Sequence, residues 1–165
     1  MAPGEEGLLL VKGPNLMLGY LGQQQLTDQS MRHGWYMTGD IAAVDEDGFI
    51  KITDRISRFS KIGGEMVPHG KIEEIINAAL GSAAAVVTAL PDEQRGDKLI
   101  AFYAQNGMSK EELWEKLNQS DLPKLWIPRR ENLHPIDSLP LLGSGKVDLK
   151  TIKAMALERA RTRVP

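Results

Sequence analysis

The chain has 165 residues, of which 42% are hydrophobic and 25% charged, and its formal net charge is −2. That apolar content supports a packed core and excludes wholesale disorder, and the weak acidity argues against a strongly basic nucleic-acid binder. There is no cysteine, so disulfides, thiolate catalysis and zinc–thiolate sites are excluded.

The opening M-A-P-G-E-E-G has neither the basic start nor the apolar stretch of a signal peptide, and the apolar runs Leu8 to Val11 and Ala83 to Val87 fall far short of the roughly 20 residues a membrane span needs. The expectation is a soluble, cytoplasmic protein. Charge is unevenly spread: residues 1–123 carry −7 and residues 124–165 carry +5. The basic end suits an anionic substrate or an acidic partner; equally, it is what a solvated terminal helix carries where its dipole favours cations.

In chain order, Leu8 to Val11 reads as a strand bounded by Gly7 and Gly13-Pro14. Ile41 to Val44 and Gly48 to Ile52 flank Asp45-Glu46-Asp47 and read as a hairpin with an acidic tip. No long helix is expected in residues 1–53, and a hairpin plus an edge strand makes a poor core, so this piece is expected to lean on other polypeptide. Beyond Ser57 comes a short polar hairpin with Gly63 and Gly64 adjacent. Ile72, Ile75, Ile76, Ala79 and Leu80 then recur at helical spacing up to Gly81. Ala83 to Leu90 and Leu99 to Ala104 read as two strands of one sheet, joined by a charged turn. Ser109 and Glu112 form a capping box for a helix with Leu113, Trp114 and Leu117 on one face. A third strand is expected around Arg130 to His134, and Asp148 as the N-cap of a last helix with Leu149, Ile152 and Ala156 inward. Residues 58–165 thus read as a small α+β unit able to fold alone.

Three motifs carry chemistry. P-L-L-G-S-G-K-V, residues 140–147, fails as a phosphate loop at Pro140 and Val147, yet it sets Lys146 on a two-glycine loop before a capped helix, where a flexible ammonium can reach an anion. Y-M-T-G-D, residues 36–40, joins an aromatic, a hydroxyl and a carboxylate at a glycine turn; Asp40 there can accept ribose hydroxyls from a strand entrance, or form an ordinary Asx turn. Arg55, in Thr53-Asp54-Arg55, can donate to sugar or phosphate oxygens or pair with a surface acid.

Taken together, the ordered segments Gly4-Glu5 to Gly19-Tyr20, W-Y-M-T-G-D at 35–40, residues 54–65 ending in G-G-E, and L-P-L-L-G-S-G-K at 139–146 resemble the adenylate-forming enzymes, the acyl-CoA synthetase and ligase superfamily. S-K-I-G-G-E-M-V (60–67) and L-P-L-L-G-S-G-K-V-D (139–148) are most similar to the branch that combines 2-acylglycerophosphoethanolamine acyltransferase with acyl-acyl-carrier-protein synthetase. The resemblance implies an α+β fold. Residues 1–56 would be the β-rich, barrel-like end of a large AMP-binding domain, and residues 57–165 a small mobile lid with a short sheet and about three helices.

It also implies an ATP-dependent, Mg2+-assisted fatty acid ligase that forms an acyl-adenylate and passes the acyl group to the phosphopantetheine thiol of acyl carrier protein or CoA, in phospholipid acyl remodelling. Lys146 would be catalytic. Asp40, Arg55, Thr38 and Tyr36 would bind nucleotide, and Gly63 and Gly64 would line the pantetheine approach. Ser57 would be the hinge. Ser57, Lys71 and Asp54 depart from the usual residues of the family.

The family's phosphate loop, adenine-binding motif, acyl pocket and Mg2+ site lie upstream of these motifs, no metal site is expected within this stretch, and Met1-Ala2 reads as a start placed on a shortened chain. The piece is therefore expected to be silent by itself, with no membrane anchor of its own, whereas a phospholipid-remodelling parent would associate with the membrane. Two other readings compete. One is a docking module for an acidic carrier protein through Lys124, Arg129, Arg130, Lys150, Lys153, Arg159, Arg161 and Arg163. The other is part of an amino-acid-activating domain.

Overall fold

A computed structural model describes residues 2–104 and 107–161. The chain divides into two compact units, Met1–Ser57 and Arg58–Pro165.

The first unit is an antiparallel sheet built around one long strand. β1 (Glu6–Val11) is followed by a short helix, α1 (Gln24–Ser30), then β2 (Met31–Arg32), β3 (Trp35–Val44) and β4 (Ile50–Arg55). β3 pairs with β1 on one edge and with β2 and then β4 on the other. The acidic tip between β3 and β4 is an Asx turn: Asp45 Oδ1 accepts from the backbone N–H groups of Asp47 at 3.1 Å and Phe49 at 2.8 Å. Among the described residues, Ala42 is the one buried hydrophobic residue of this unit, while Leu18 and Leu21 are fully exposed and Phe49, Ile50 and Ile52 mostly so.

α1 is short, in keeping with the expectation of no long helix in residues 1–53: it is seven residues long, has no side-chain cap and buries none of its residues, so no apolar period marks it. One sequence expectation changes here. Asp40 is not at a strand entrance but inside β3, because the strand runs on through Trp35 to Val44.

The second unit has a true core. Its elements are β5 (Phe59–Ile62), β6 (Glu65–Pro68), α2 (His69–Leu80), β7 (Ala85–Asp92), β8 (Gly96–Ala104), α3 (Lys110–Gln119), β9 (Leu133–Ile136) and α4 (Leu149–Arg161). The strands form one sheet in the order β6-β5-β8-β7, with β9 also pairing to β8, in parallel. β8 alternates. Leu99, Ala101 and Tyr103 face a cluster with Ile72 and Ile76 of α2, Leu113 and Leu117 of α3 and Leu133. Ile100 and Phe102 face Ile152 and Ala156 of α4. Burial on both faces explains why β7 and β8 read as continuous apolar runs.

Each fully buried Ile or Leu here contributes roughly 1.5–3 kcal/mol, which makes this unit the stable part of the chain. α2 ends where Gly81 adopts a left-handed conformation (φ 70°), and α3 opens on the complete Ser109–Glu112 capping box.

The third strand begins at Leu133 rather than Arg130, since Arg130–Asn132 is a 3-10 turn. Pro135 is tolerated in β9 because that strand lies at a sheet edge. Leu149 is 40% exposed rather than inward, whereas Ile152 and Ala156 are fully buried. No helix among the described residues is long and apolar enough to cross a membrane.

Candidate functional site

In the first unit, β3 and β4 bring Tyr36, Thr38, Asp40 and Arg55 into one neighbourhood. Asp40 stands opposite Arg55 in the register, and Arg55 Nε lies 2.8 Å from Asp40 Oδ1. The carboxylate is only 15% exposed and the guanidinium 70%, so the pair presents a fixed acceptor beside a solvated cation.

Thr38 faces inward in function: its hydroxyl donates to Leu9 O at 3.0 Å and accepts from the Asp40 N–H at 3.0 Å. These bonds lock the carboxylate's backbone to β1 and occupy the hydroxyl. Gly39 between them has φ 78°, a conformation that leaves glycine as the natural occupant. Tyr36 and Tyr20 hydroxyls lie 3.2 Å apart. That hydrogen bond, with the charge repulsion of the neighbouring phenol, pushes the Tyr36 phenol above its ordinary range.

In the second unit, Gly63 and Gly64 form the two-residue turn between β5 and β6, with Ile62 paired to Glu65 and φ of 57° and 93°. Two successive positive φ values define the mirror-image hairpin turn, and this alone accounts for both glycines. A Cβ at Gly64 would meet nothing within 4 Å, and at Gly63 only Leu125, 3.7 Å away. The hairpin stands beside a shallow groove whose lining includes Ile62, Leu125, Arg95, Lys98 and Arg129. The Gly63 N–H donates to Arg95 O at 2.9 Å.

Lys146 is exposed on a loop closed by the Leu141–Val147 bridge. Leu142 N–H donates to Lys146 O at 2.7 Å and Gly145 N–H to Leu142 O at 2.8 Å, so the backbone is pinned while the side chain is free to sweep. Among the described residues no hydrogen bond or ion pair holds its ammonium. Two residues on, Asp148 caps α4, accepting from the backbone of Lys150 at 3.0 Å and Thr151 at 3.1 Å and from the Thr151 hydroxyl at 2.7 Å. Those bonds, the Thr151 hydroxyl first, hold its carboxyl below the usual range.

Sequence reasoning missed a polar cluster behind the glycine hairpin. Ser60 Oγ of β5 lies 2.6 Å from His69 Nε2 of α2, and both residues are buried. Arg58 pairs with Glu73, whose other oxygen accepts from the Val87 N–H at 2.6 Å. These bonds fix β5 to α2 and β7. The only sequence signal was a serine and a histidine nine residues apart, which no motif marks.

Of the basic residues proposed for carrier docking, Lys124 donates to Asn118 O at 2.6 Å and Lys153 to Ala89 O. Arg129, Arg130, Lys150, Arg159 and Arg161 are exposed, and Arg163 lies outside the described residues. Ser57, the expected hinge, is exposed and is the last residue of the first unit. Among the described residues no three acidic or imidazole groups gather to hold a metal ion.

The exposed lysine on its glycine loop, the hairpin of two glycines and the carboxylate–guanidinium pair are the features that the sequence resemblance singles out. No protein-family model matches the chain. It is 31% identical over 156 residues to a 2-succinylbenzoate–CoA ligase of Bacillus mycoides (strain KBAB4), covering 94% of this chain and 32% of that protein. It is 33% identical over 148 residues to a feruloyl-CoA synthase of Amycolatopsis sp, covering 88% and 30%.

Among solved structures it is similar to ATP-bound MatB from Rhodopseudomonas palustris (TM-score 0.77, 25% identity, 94% of this chain and 31% of that one). It is also similar to the o-succinylbenzoate CoA synthetase of Bacillus subtilis in complex with its acyl-adenylate intermediate (TM-score 0.71, 29% identity, 93% and 31%). Its homologues are AMP-forming acyl-CoA ligases, and the chain matches the C-terminal portion of an adenylate-forming enzyme. It spans about a third of the length of the curated relatives it matches.

Proposed function

We propose that this chain supplies the C-terminal part of an ATP-dependent acid–thiol ligase, which joins a carboxylate to AMP and then passes the acyl group to a pantetheine thiol. The observation that carries the reading is Lys146, a solvent-exposed ammonium on a backbone-pinned loop directly before a capped helix.

In adenylate formation a carboxylate oxygen bonds to the α-phosphorus of ATP and the bond to pyrophosphate breaks. Negative charge spreads over the phosphoryl oxygens, and a positioned cation there supports the transition state; loss of such a group costs on the order of 100- to 1,000-fold in rate. Asp40 would accept the ribose hydroxyls, held in orientation by Arg55 and, through its backbone, by Thr38; Tyr36 would flank the nucleotide. Gly63 and Gly64, whose turn leaves no side chain on the hairpin tip, would border the path of the pantetheine arm. Ser57 would act as the hinge that exchanges Lys146 for the glycine hairpin between the two half-reactions. A Mg2+ ion accompanying ATP would take its ligands from the triphosphate and from polypeptide beyond this chain.

The finer reading follows the S-K-I-G-G-E-M-V and L-P-L-L-G-S-G-K-V-D segments. The acid would be a fatty acid, and the thiol that of acyl carrier protein or CoA. The pathway would be phospholipid acyl remodelling by an acyltransferase/acyl-acyl-carrier-protein synthetase. The decisive test uses the full-length enzyme carrying Lys146→Ala. Adenylate formation should be lost while thioester formation from supplied acyl-adenylate is spared; equal loss in both assays refutes the assignment. The 165-residue chain alone should show no ATP–pyrophosphate exchange with a fatty acid.

A further inference from the structure

The helix α1 buries none of its residues and has no side-chain cap, yet the loop before it is bolted to it. Thr27 is the bolt: its hydroxyl accepts from the Tyr20 N–H at 2.9 Å and donates to Gln23 O at 3.1 Å. The Gln23 N–H donates to Tyr20 O at 3.0 Å, closing the turn between loop and helix. The approach is close enough that a Cβ on Gly19 would stand 2.9 Å from the Thr27 side chain. Leu18 and Leu21, on either side, are fully exposed, so burial of an apolar loop is not what holds Tyr20. With its backbone fixed in this way, Tyr20 brings its hydroxyl to 3.2 Å from the Tyr36 hydroxyl on β3. Both residues are half-buried. The Tyr36 phenol in turn lies within electrostatic reach of the Asp40 carboxylate and the Arg55 guanidinium, which act on it with opposite signs. A run of contacts thus leads from α1 through Thr27 and Tyr20 to the phenol beside the Asp40–Arg55 pair.

We propose that Tyr20 is a positioning residue for nucleotide binding, its hydroxyl holding the Tyr36 phenol in place beside Asp40. This rests on the reading that gives Tyr36 and Asp40 to the nucleotide. Tyr20 acts through Tyr36 and not on the reacting atoms. A partner at the hydroxyl end of the Tyr36 ring, the end farthest from its backbone, restrains the part of the side chain a ligand would meet. Fixing that end before the ligand arrives lowers the ordering cost of binding. A phenol oxygen can donate and accept, so one proton shared between the two hydroxyls leaves Tyr36 further capacity toward a ribose hydroxyl. The shared proton also keeps the phenol uncharged at neutral pH, so it does not repel the carboxylate beside it. The role accounts for α1 as well: a helix without a buried face is the anchor for the loop that delivers Tyr20.

The test has two arms. In the 165-residue chain, NMR of 13Cζ-labelled tyrosine follows the three phenols separately as pH is raised. In Tyr20→Phe, Tyr36 should titrate at lower pH than in the parent, because a hydrogen bond and a neighbouring phenolate are both removed. In the full-length enzyme, Tyr20→Phe should raise the KM for ATP about three- to tenfold, the range expected of one neutral hydrogen bond, and change kcat far less. Added to Tyr36→Phe, it should raise that KM no further, since the hydroxyl it lacks then has nothing to hold. Tyr103→Phe, which removes a buried hydroxyl without a hydrogen-bond partner, should leave the KM as it is. The proposal is overturned by an unchanged Tyr36 titration in Tyr20→Phe, by effects of the two substitutions that simply add, or by a Tyr20→Phe loss confined to kcat and thermal stability. Failure of the underlying reading has its own mark: Tyr36→Phe alone would leave the KM for ATP unchanged, and the role of Tyr20 would fall with it.

Discussion

Replacing His69 with glutamine exposes how the polar cluster behind the glycine hairpin contributes to stability. The ring is 4% exposed and hydrogen-bonded to Ser60. Burial, reinforced by the cations of Arg58 and Lys153 and only partly opposed by Asp97, lowers its pKa from 6.5 to about 4. The unfolded chain takes up this proton near pH 6.5 and the folded chain only near pH 4, so between those values the unfolded state binds more protons.

Stability contributed by the neutral ring is therefore complete above about pH 6.5, declines as pH falls through the window, and levels off below about pH 4. At about 1.4 kcal/mol per unit, the whole decline is about 3 kcal/mol, of which about 2 kcal/mol is lost by pH 5. Urea unfolding of the chain and of His69→Gln, from about pH 7.5 to pH 4.5, isolates this contribution, because glutamine bonds to Ser60 but does not titrate in that range. The stability advantage of the parent over the variant should shrink by about 2 kcal/mol on going to pH 5. An advantage that stays constant across the window refutes the reasoning.

Two further changes probe the two units. Gly96 has φ 88°, and a Cβ there would sit 2.7 Å from the Lys61 carbonyl oxygen, at the Ile62–Gly96 pair that joins β5 to β8. Gly96→Ala should cost roughly 2–4 kcal/mol in thermal or urea unfolding, and a cost below about 0.5 kcal/mol would contradict the contact. In hydrogen exchange of the chain by itself, amides of β1 and β4 should exchange far faster than those of β7 and β8, since the first unit has little core. Equal protection would show that its sheet is stable unaided.

What could be read from the sequence was what local chemistry writes within a few residues. Ser109 and Glu112 announce α3, Gly81 closes α2, Asp148 opens α4, and the two-glycine turn sits where two short runs meet. The unread features depend on register or on partners distant in the chain. The Asp40–Arg55 pair crosses between strands beside an irregularity at Ile41 and Ala42, so counting residues along a hairpin does not reveal it. Thr38 looked like a ligand-facing hydroxyl because nothing local shows that Leu9 would supply a carbonyl to it. The Ser60–His69 bond joins a strand to the start of a helix, and α1 carries no apolar face to signal it. Leu149 fits the helical period of α4, yet a period marks a face of the helix and not how deeply each residue on it is buried.

The unequal cores of the two units bear on how such a ligase would divide its work. Arg58 to Arg161 contains nearly all of the buried apolar side chains and also carries Lys146 and the glycine hairpin. A body that is stable in itself can change position without unfolding, so groups needed at different moments belong on it. Asp40 and Arg55, by contrast, belong to a unit that leaves Leu18, Leu21, Phe49, Ile50 and Ile52 in water. Each such side chain would add roughly 1.5–3 kcal/mol if covered, so packing against further polypeptide would stiffen the carboxylate and its strand together. Rigidity at Asp40 would then be acquired on assembly rather than built in locally. With Asp40 holding the ribose as proposed, serine substitutions at Phe49, Ile50 and Ile52 should weaken nucleotide binding in a full-length enzyme, measured by ATP titration, and unchanged affinity would refute the coupling.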